Sequence, residues 1–124
     1  DAGGVVYYAN YLKFLERART EALISLGFSN KKIKEDFELL IIVKSCNIDY
    51  KKSACLEDEL SIRSFIKSVT KTSFWMSQFI SRKDDLIVEA KIQLVFVNDK
   101  GKPAKIPGSI FAYLKPYFCH TIKI

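Results

Sequence analysis

A carboxylate, two glycines and the start of an amphipathic helix fall close together in Asp1-Ala2-Gly3-Gly4-Val5-Val6-Tyr7-Tyr8-Ala9-Asn10-Tyr11. A carboxylate can deprotonate water or attack a carbonyl carbon, and the N–H groups of a helix's first turn, which lack intrahelical acceptors, can stabilise an oxygen that becomes negative. These are the two halves of an acyl-transfer site. Gly3 and Gly4 allow positive φ and a close approach of backbone to substrate. Each residue type also has a local reading. Asp1 can be a turn or capping residue, Gly3-Gly4 an ordinary turn and Asn10 a helix cap, while Tyr7, Tyr8 and Tyr11 can be core aromatics. Glu16 and Glu21 are rival carboxylates, but their helical positions predict a solvated face or a subunit contact.

The element that must hold this site is a helix over residues 10–26. Apolar side chains recur there at Tyr11, Leu12, Phe14, Leu15, Ala18, Ala22, Leu23 and Leu26, which predicts about five turns packed along a sheet. Arg17 and Glu21 are spaced to pair on the wet face, and Gly27 is placed to close the C-terminus. Strands are predicted over 37–45, 60–70, 73–81 and 86–97. In the last of these Leu86, Val88, Ala90, Ile92, Leu94 and Phe96 form one apolar face. Arg82-Lys83-Asp84-Asp85 and Asn98-Asp99-Lys100-Gly101 supply turns on either side of it. Residues 102–107 read as an extended basic segment and 109–114 as a short helix that Pro116 stops. One long helix followed by about four antiparallel strands makes an α+β domain, with the helix across a curved sheet. A single helix cannot cover both faces, and open sheet edges seek partners, so a dimer is expected.

The chain has 124 residues, 48% of them hydrophobic, which suits one domain over 1–124 with one core. The longest apolar run, Leu39-Leu40-Ile41-Ile42-Val43, has the length of a strand and is far too short for a membrane span. The chain begins at Asp1 rather than Met, which predicts that something upstream is processed or missing. Cys46, Cys55 and Cys119 are odd in number and lack metal-ligand spacing, so free thiols in a reducing compartment, the cytoplasm, are expected. His120 is far from Cys46 and Cys55 in sequence and reads as a surface residue, so neither a zinc site nor a Cys-His nucleophile pair is expected. Trp75 and Met76 read as packing residues. A net charge of +6 and a pI near 9.2 favour anionic partners. The basic residues are scattered, and without a basic helix or a basic strand interleaved with aromatics no nucleic acid is expected as a partner.

The opening motif, continued by Ala9-Asn10-Tyr11-Leu12-Lys13-Phe14-Leu15-Glu16-Arg17-Ala18-Arg19-Thr20-Glu21, closely resembles the signature of hotdog-fold acyl-CoA thioesterases of the YbgC and 4-hydroxybenzoyl-CoA thioesterase group. Residues 43–60, with Asp49-Tyr50-Lys51-Lys52-Ser53-Ala54 at their centre, are similar to the family's second strand and following loop, and residues 95–107 to its last hairpin. The resemblance implies a hotdog fold, an antiparallel sheet wrapped around the long helix, with two subunits joining their sheets and often assembling into a homotetramer. It implies hydrolysis of acyl-CoA to a free acid and coenzyme A, with Asp1 as general base or nucleophile and the backbone N–H of Tyr8 facing the oxyanion. Gly3, Gly4 and Asn10 would shape the substrate site. No metal or redox cofactor is implied, coenzyme A being part of the substrate. Lys51, Lys52, Arg82 and Lys83 are the candidates for its phosphates. Relatives are often bacterial and associated with envelope or phospholipid metabolism, so the resemblance points to fatty acyl rather than aromatic substrates, with chain length open, and an acyl carrier protein is a further partner suited to the positive charge. Two departures stand out: the family's usual strand before the motif is absent from these residues, and Tyr8 stands where many relatives carry His. The alternative function is a non-catalytic module that binds acyl-CoA or acyl carrier protein.

Overall fold

The computed structural model describes residues 8–52, 54–55, 58–114 and 121–122. The long helix, α1 (Tyr8–Ser25), starts slightly before the predicted position. Its buried side chains Tyr11, Leu15, Ala18, Ala22 and Leu26 recur at three- and four-residue steps, the spacing that keeps them on one face. On the opposite face Arg17 and Glu21 pair at 3.1 Å as expected. The helix closes at Gly27, whose φ of 89° turns the chain. The N–H of Gly27 donates to the carbonyl of Ile24 at 2.9 Å and that of Phe28 to Leu23 at 2.8 Å, which satisfies two carbonyls that the last turn leaves open.

A second helix, α2 (Asn30–Phe37), follows, where the sequence pattern predicted no helix. Ser29 caps it by accepting the N–H of Lys32 at 3.1 Å, and Glu38, in the left-handed region at φ 57°, ends it. Only Ile33 of this helix is buried, so it carries no apolar stripe that a sequence could display. Its presence corrects the strand predicted over 37–45: Phe37 closes a helix, and the strand begins at Leu40 and runs on to Tyr50.

The sheet comprises β1 (Leu40–Tyr50), β2 (Ser61–Val69), β3 (Ser73–Arg82), β4 (Asp85–Val97) and β5 (Thr121–Ile122), in the order β1-β4-β3-β2-β5. All neighbours are antiparallel. The short β5, beyond the strands read from the sequence, pairs with β2 at Ser64 and Phe65. Strand β4 has the predicted alternation from Val88 on, with Val88, Ala90, Ile92, Leu94 and Phe96 all buried, but Leu86 is only half-buried and Ile87 is buried instead, where the register with β3 shifts. Val95 and Val97 point the other way and are buried too, so both faces of the sheet are covered at that end. Strand β1 behaves differently. It lies at the sheet edge and is exposed along most of its length, and a bulge at Lys44 interrupts its register with β4.

After β4, the side-chain oxygen of Asn98 accepts the N–H groups of Lys100 and Lys102, each at 3.0 Å, and Gly101 takes a φ of 76°. The turn lays residues 102–107 back along the strand end, with the Ala104 N–H on the Phe96 carbonyl at 2.8 Å. Helix α3 (Gly108–Leu114) then buries Ile110 and Leu114 in the core.

Candidate active site

The beginning of α1 is where sequence reasoning placed the chemistry. Asp1, Gly3 and Gly4 lie outside the described residues. Tyr8 is the first residue of α1, so its backbone N–H belongs to the turn in which an α-helix offers no acceptor one turn earlier. Asn10 is half-buried in the same turn.

One step further along the helix, Tyr11 is almost wholly buried and joins three parts of the fold. Its ring meets Tyr50 at the end of β1 at 5.8 Å and Phe14 at 6.5 Å. Its hydroxyl oxygen accepts the N–H of Ala54 at 3.0 Å. Ala54 belongs to the 51–60 segment, so a residue of the opening motif holds the segment that the family resemblance also singled out. Sequence reasoning missed this contact because the partners are 43 positions apart. A tyrosine on the buried stripe was the available signal, since a buried hydroxyl seeks a partner.

The same segment is tied at its other end. Asp58 accepts the Cys55 N–H at 2.7 Å and an Arg82 N–H at 2.9 Å. These two hydrogen bonds, the backbone one first, hold the Asp58 carboxyl below its usual pKa, and Asp58 in turn raises that of Arg82. Arg82 also reaches Asp85 at 3.6 Å, and Asp85 binds Lys52 at 3.1 Å, which lowers the Asp85 pKa. Lys51 pairs with Asp49, whose hydrogen bond raises the Lys51 pKa. Three of the four phosphate candidates, Lys51, Lys52 and Arg82, are therefore committed to carboxylates. Lys83, in the β3–β4 turn at φ 54°, forms no ion pair among the described residues. The open cleft of about 920 Å³ beside Lys83 is lined by Asp58, Glu59 and Asp85 as well as Arg82, and carboxylates are poor company for a phosphate.

A second polar cluster lies under the middle of α1. Gln78 of β3, fully buried between Met76 and Ile80, donates to the Leu15 carbonyl and to Ser64 Oγ, both at 3.1 Å, and accepts from Arg19 at 3.1 Å. It anchors helix to sheet with its amide satisfied on both sides. A glutamine at an inward position of an apolar strand was the sequence signal for it. Of the rival carboxylates, Glu21 is occupied by Arg17 and Glu16 is exposed. Met76 is buried and Trp75 half-buried, consistent with packing roles, and Cys46 and Cys55 are free thiols. Cys119 and His120 lie outside the described residues.

A long helix cradled by a curved antiparallel sheet, with a carboxylate-glycine motif leading into its first turn, is the arrangement of the hotdog thioesterases. Residues 1–114 match the model of the thioesterase-like superfamily, and the chain belongs to that family. It is similar to the acyl-CoA thioesterase YbgC of Haemophilus influenzae, 36% identical over 90% of this chain and 83% of that protein. It is likewise 38% identical to the acyl-CoA thioester hydrolase YbgC of Escherichia coli, over 93% of this chain and 87% of that one. Among solved structures, a probable thioesterase from Bartonella henselae superposes with a TM-score of 0.79 at 34% identity, covering 86% of this chain and 89% of its own. Among the described residues, no helix is long and apolar enough to cross a membrane.

Proposed function

We propose that this chain is an acyl-CoA thioesterase of the YbgC kind, hydrolysing acyl-CoA to a free carboxylic acid and coenzyme A. The observation that carries the reading is that, in the sequence, three residues separate Asp1-Ala2-Gly3-Gly4 from Tyr8, where α1 begins, within a thioesterase-family fold. A thioester carbonyl needs little activation, because sulfur donates weakly to it and a thiolate is a fair leaving group. In our reading the Asp1 carboxylate takes a proton from water as the water oxygen attacks the carbonyl carbon. The carbonyl oxygen becomes negative against the Tyr8 N–H. Collapse of the intermediate breaks the C–S bond, and the departing thiolate recovers a proton. If Asp1 instead attacks directly, the first product is a mixed anhydride on its carboxyl, which water then opens. Gly3, Gly4 and Asn10 shape the approach to this turn, no metal or redox cofactor takes part, and fatty acyl chains are the substrates.

Thiol release from a series of acyl-CoAs, by the parent protein and by Asp1→Asn, tests the reading. Removal of the base lowers turnover by about 10²- to 10⁴-fold. Equal rates would reject the role of Asp1, and saturable acyl-CoA binding without hydrolysis by the parent protein would make the chain a binding module.

The working unit is a dimer built on the β1 edge, in the cytoplasm. Ile42, Val43 and Tyr50 on β1 and Leu12, Phe14 and Ile24 on α1 are large apolar side chains left exposed in the single chain, and a bare strand edge beside such a patch is a self-pairing surface. At its first turn the edge is already sealed: Asn30 of α2 accepts the Ile41 N–H at 2.9 Å and donates to the Ile41 carbonyl at 3.4 Å, taking the place of a neighbouring strand. Pairing is thus directed to the remainder of β1. Sedimentation equilibrium reads the assembly directly, a monomer at all concentrations being the result against it.

A further inference from the structure

Three hydrogen bonds link the end of β3 to the start of α1. Arg82, the last residue of β3, donates to Asp58 Oδ2 at 2.9 Å. The same oxygen accepts the Cys55 N–H at 2.7 Å, and the Asp58 N–H returns to the Cys55 carbonyl at 3.1 Å. Both backbone groups of Cys55 are thus bound by one residue. Ala54, fully buried beside it, donates to the Tyr11 hydroxyl at 3.0 Å. The residues just before Ala54 are held from β4, because the N–H groups of Lys51 and Lys52 reach the Ile87 carbonyl at 2.8 and 3.2 Å. Tyr11 lies about 4.5 Å along the helix axis from Tyr8.

The first turn of α1 needs such a hold. Its N–H groups have no intrahelical acceptors, and of its neighbouring side chains Asn10 is half-buried and Leu12 exposed, while Tyr11 is buried. The next buried side chain, Leu15, is a full turn further on. A displacement of Tyr11 is therefore a displacement of the Tyr8 N–H in the same turn. An oxyanion donor acts within about 3 Å of the oxygen it stabilises, and a misplacement of about 1 Å can cost roughly 10²-fold in rate. The carboxylate of Asp58 is spent on Cys55 and Arg82, so what it contributes is orientation.

We propose that Asp58 is a positioning residue for thioester hydrolysis, acting through Cys55, Ala54 and Tyr11 on the first turn of α1. The catalytic consequence rests on the thioesterase reading, and the mechanical link does not. Removing Asp58 shifts the donor that meets the oxyanion and leaves the contacts that bind the substrate, so kcat falls and KM holds.

Steady-state hydrolysis of the acyl-CoA that the parent turns over fastest, at a temperature where every variant is folded by circular dichroism, tests the role. Asp58→Ala lowers kcat by about 10-fold with KM within about twofold. Asp58→Asn, which keeps an oxygen for the Cys55 N–H, recovers part of the loss. Tyr11→Phe lowers kcat as well, and the double variant Tyr11→Phe/Asp58→Ala falls no further than the lower single variant, because both substitutions break one chain of contacts. Gly27→Ala, strained at the far end of α1 and about 28 Å along it from Tyr8, loses stability with kcat unchanged. An undiminished kcat in folded Asp58→Ala, or losses that multiply in the double variant, would overturn the proposal. Amide exchange reads the link without turnover. The N–H groups of Leu12 and Lys13, bonded to the carbonyls of Tyr8 and Ala9, exchange faster in Asp58→Ala, whereas those of Ala22 and Leu23 follow only the global loss. Equal acceleration along the whole helix contradicts the link. A parent that hydrolyses no acyl-CoA, with exchange at Leu12 and Lys13 still dependent on Asp58, would sink the hydrolase reading and the catalytic role with it, and leave the mechanical link standing.

Discussion

Tyr11→Phe isolates a single oxygen atom. The ring keeps its contacts with Tyr50 and Phe14, while the N–H of Ala54 loses its acceptor at 3.0 Å. Ala54 is fully buried, so no water replaces the hydroxyl and the stranded N–H costs about 1–3 kcal/mol. For 124 residues, an unfolding entropy of about 2.1 cal/mol/K per residue comes to about 0.26 kcal/mol/K. The expected loss in Tm is therefore about 4–12 °C. Differential scanning calorimetry at one fixed protein concentration measures it. Amide exchange at Ala54 should accelerate in the variant, whereas exchange in the middle of β3, which makes no contact with this hydroxyl, should follow only the global loss. A Tm within about 1 °C of the parent, with Ala54 exchange unchanged, would refute the claim that Tyr11 pins the segment.

Three further outcomes follow from other contacts. Asn30→Ala removes both hydrogen bonds to the Ile41 backbone and should cost about 1–2 kcal/mol in urea unfolding; the freed edge should also raise the tendency to form higher oligomers in sedimentation. Gly27→Ala meets no atom within 4 Å, so its loss of about 1–2 kcal/mol comes from backbone strain at φ 89° alone, and Gly27→Asn should recover part of the loss in thermal melts. Asp58 has a lowered folded pKa, so its contribution to stability is complete above the ordinary aspartate value of about 3.9 and disappears as pH falls through the folded value. Asp58→Asn should then melt below the parent at neutral pH, and the gap should close in acid; a gap that widened on acidification would contradict the assignment.

The parts of the fold that were legible in the sequence are those whose side chains alternate between two unlike environments. Helix α1 packs one face on the sheet and leaves Arg17 and Glu21 in water, so its stripe is written in the residue order. Strand β4 shows its inward face in the same way, and the turn at Asn98 and the cap at Gly27 rest on residue types with few other uses. Helix α2 was not legible because a single buried residue, Ile33, makes no period, although Ser29 carried a cap signal. The strand predicted from residue types stopped at Ser45, short of Tyr50, because an exposed edge strand has no dry face to demand alternation, and Asn47 and Asp49 carry no strand signature. At the candidate site, the motif and the helix start were readable, with Asp1, Gly3 and Gly4 lying outside the described residues. The neutralisation of Lys52 and Arg82 was not readable, since their carboxylate partners come from other strands and turns.

Residue order alone determined that a carboxylate and two glycines precede a long amphipathic helix, and that strands follow it, because helical and strand periods are local properties of the chain. Tertiary structure alone decided that Tyr11 would hold Ala54 and that Gln78 would sit beneath α1, bonded to Leu15 and Arg19. Hydrogen bonding and charge pairing act through distances of about 3 Å, and which groups come that close is settled only when sheet and helix pack.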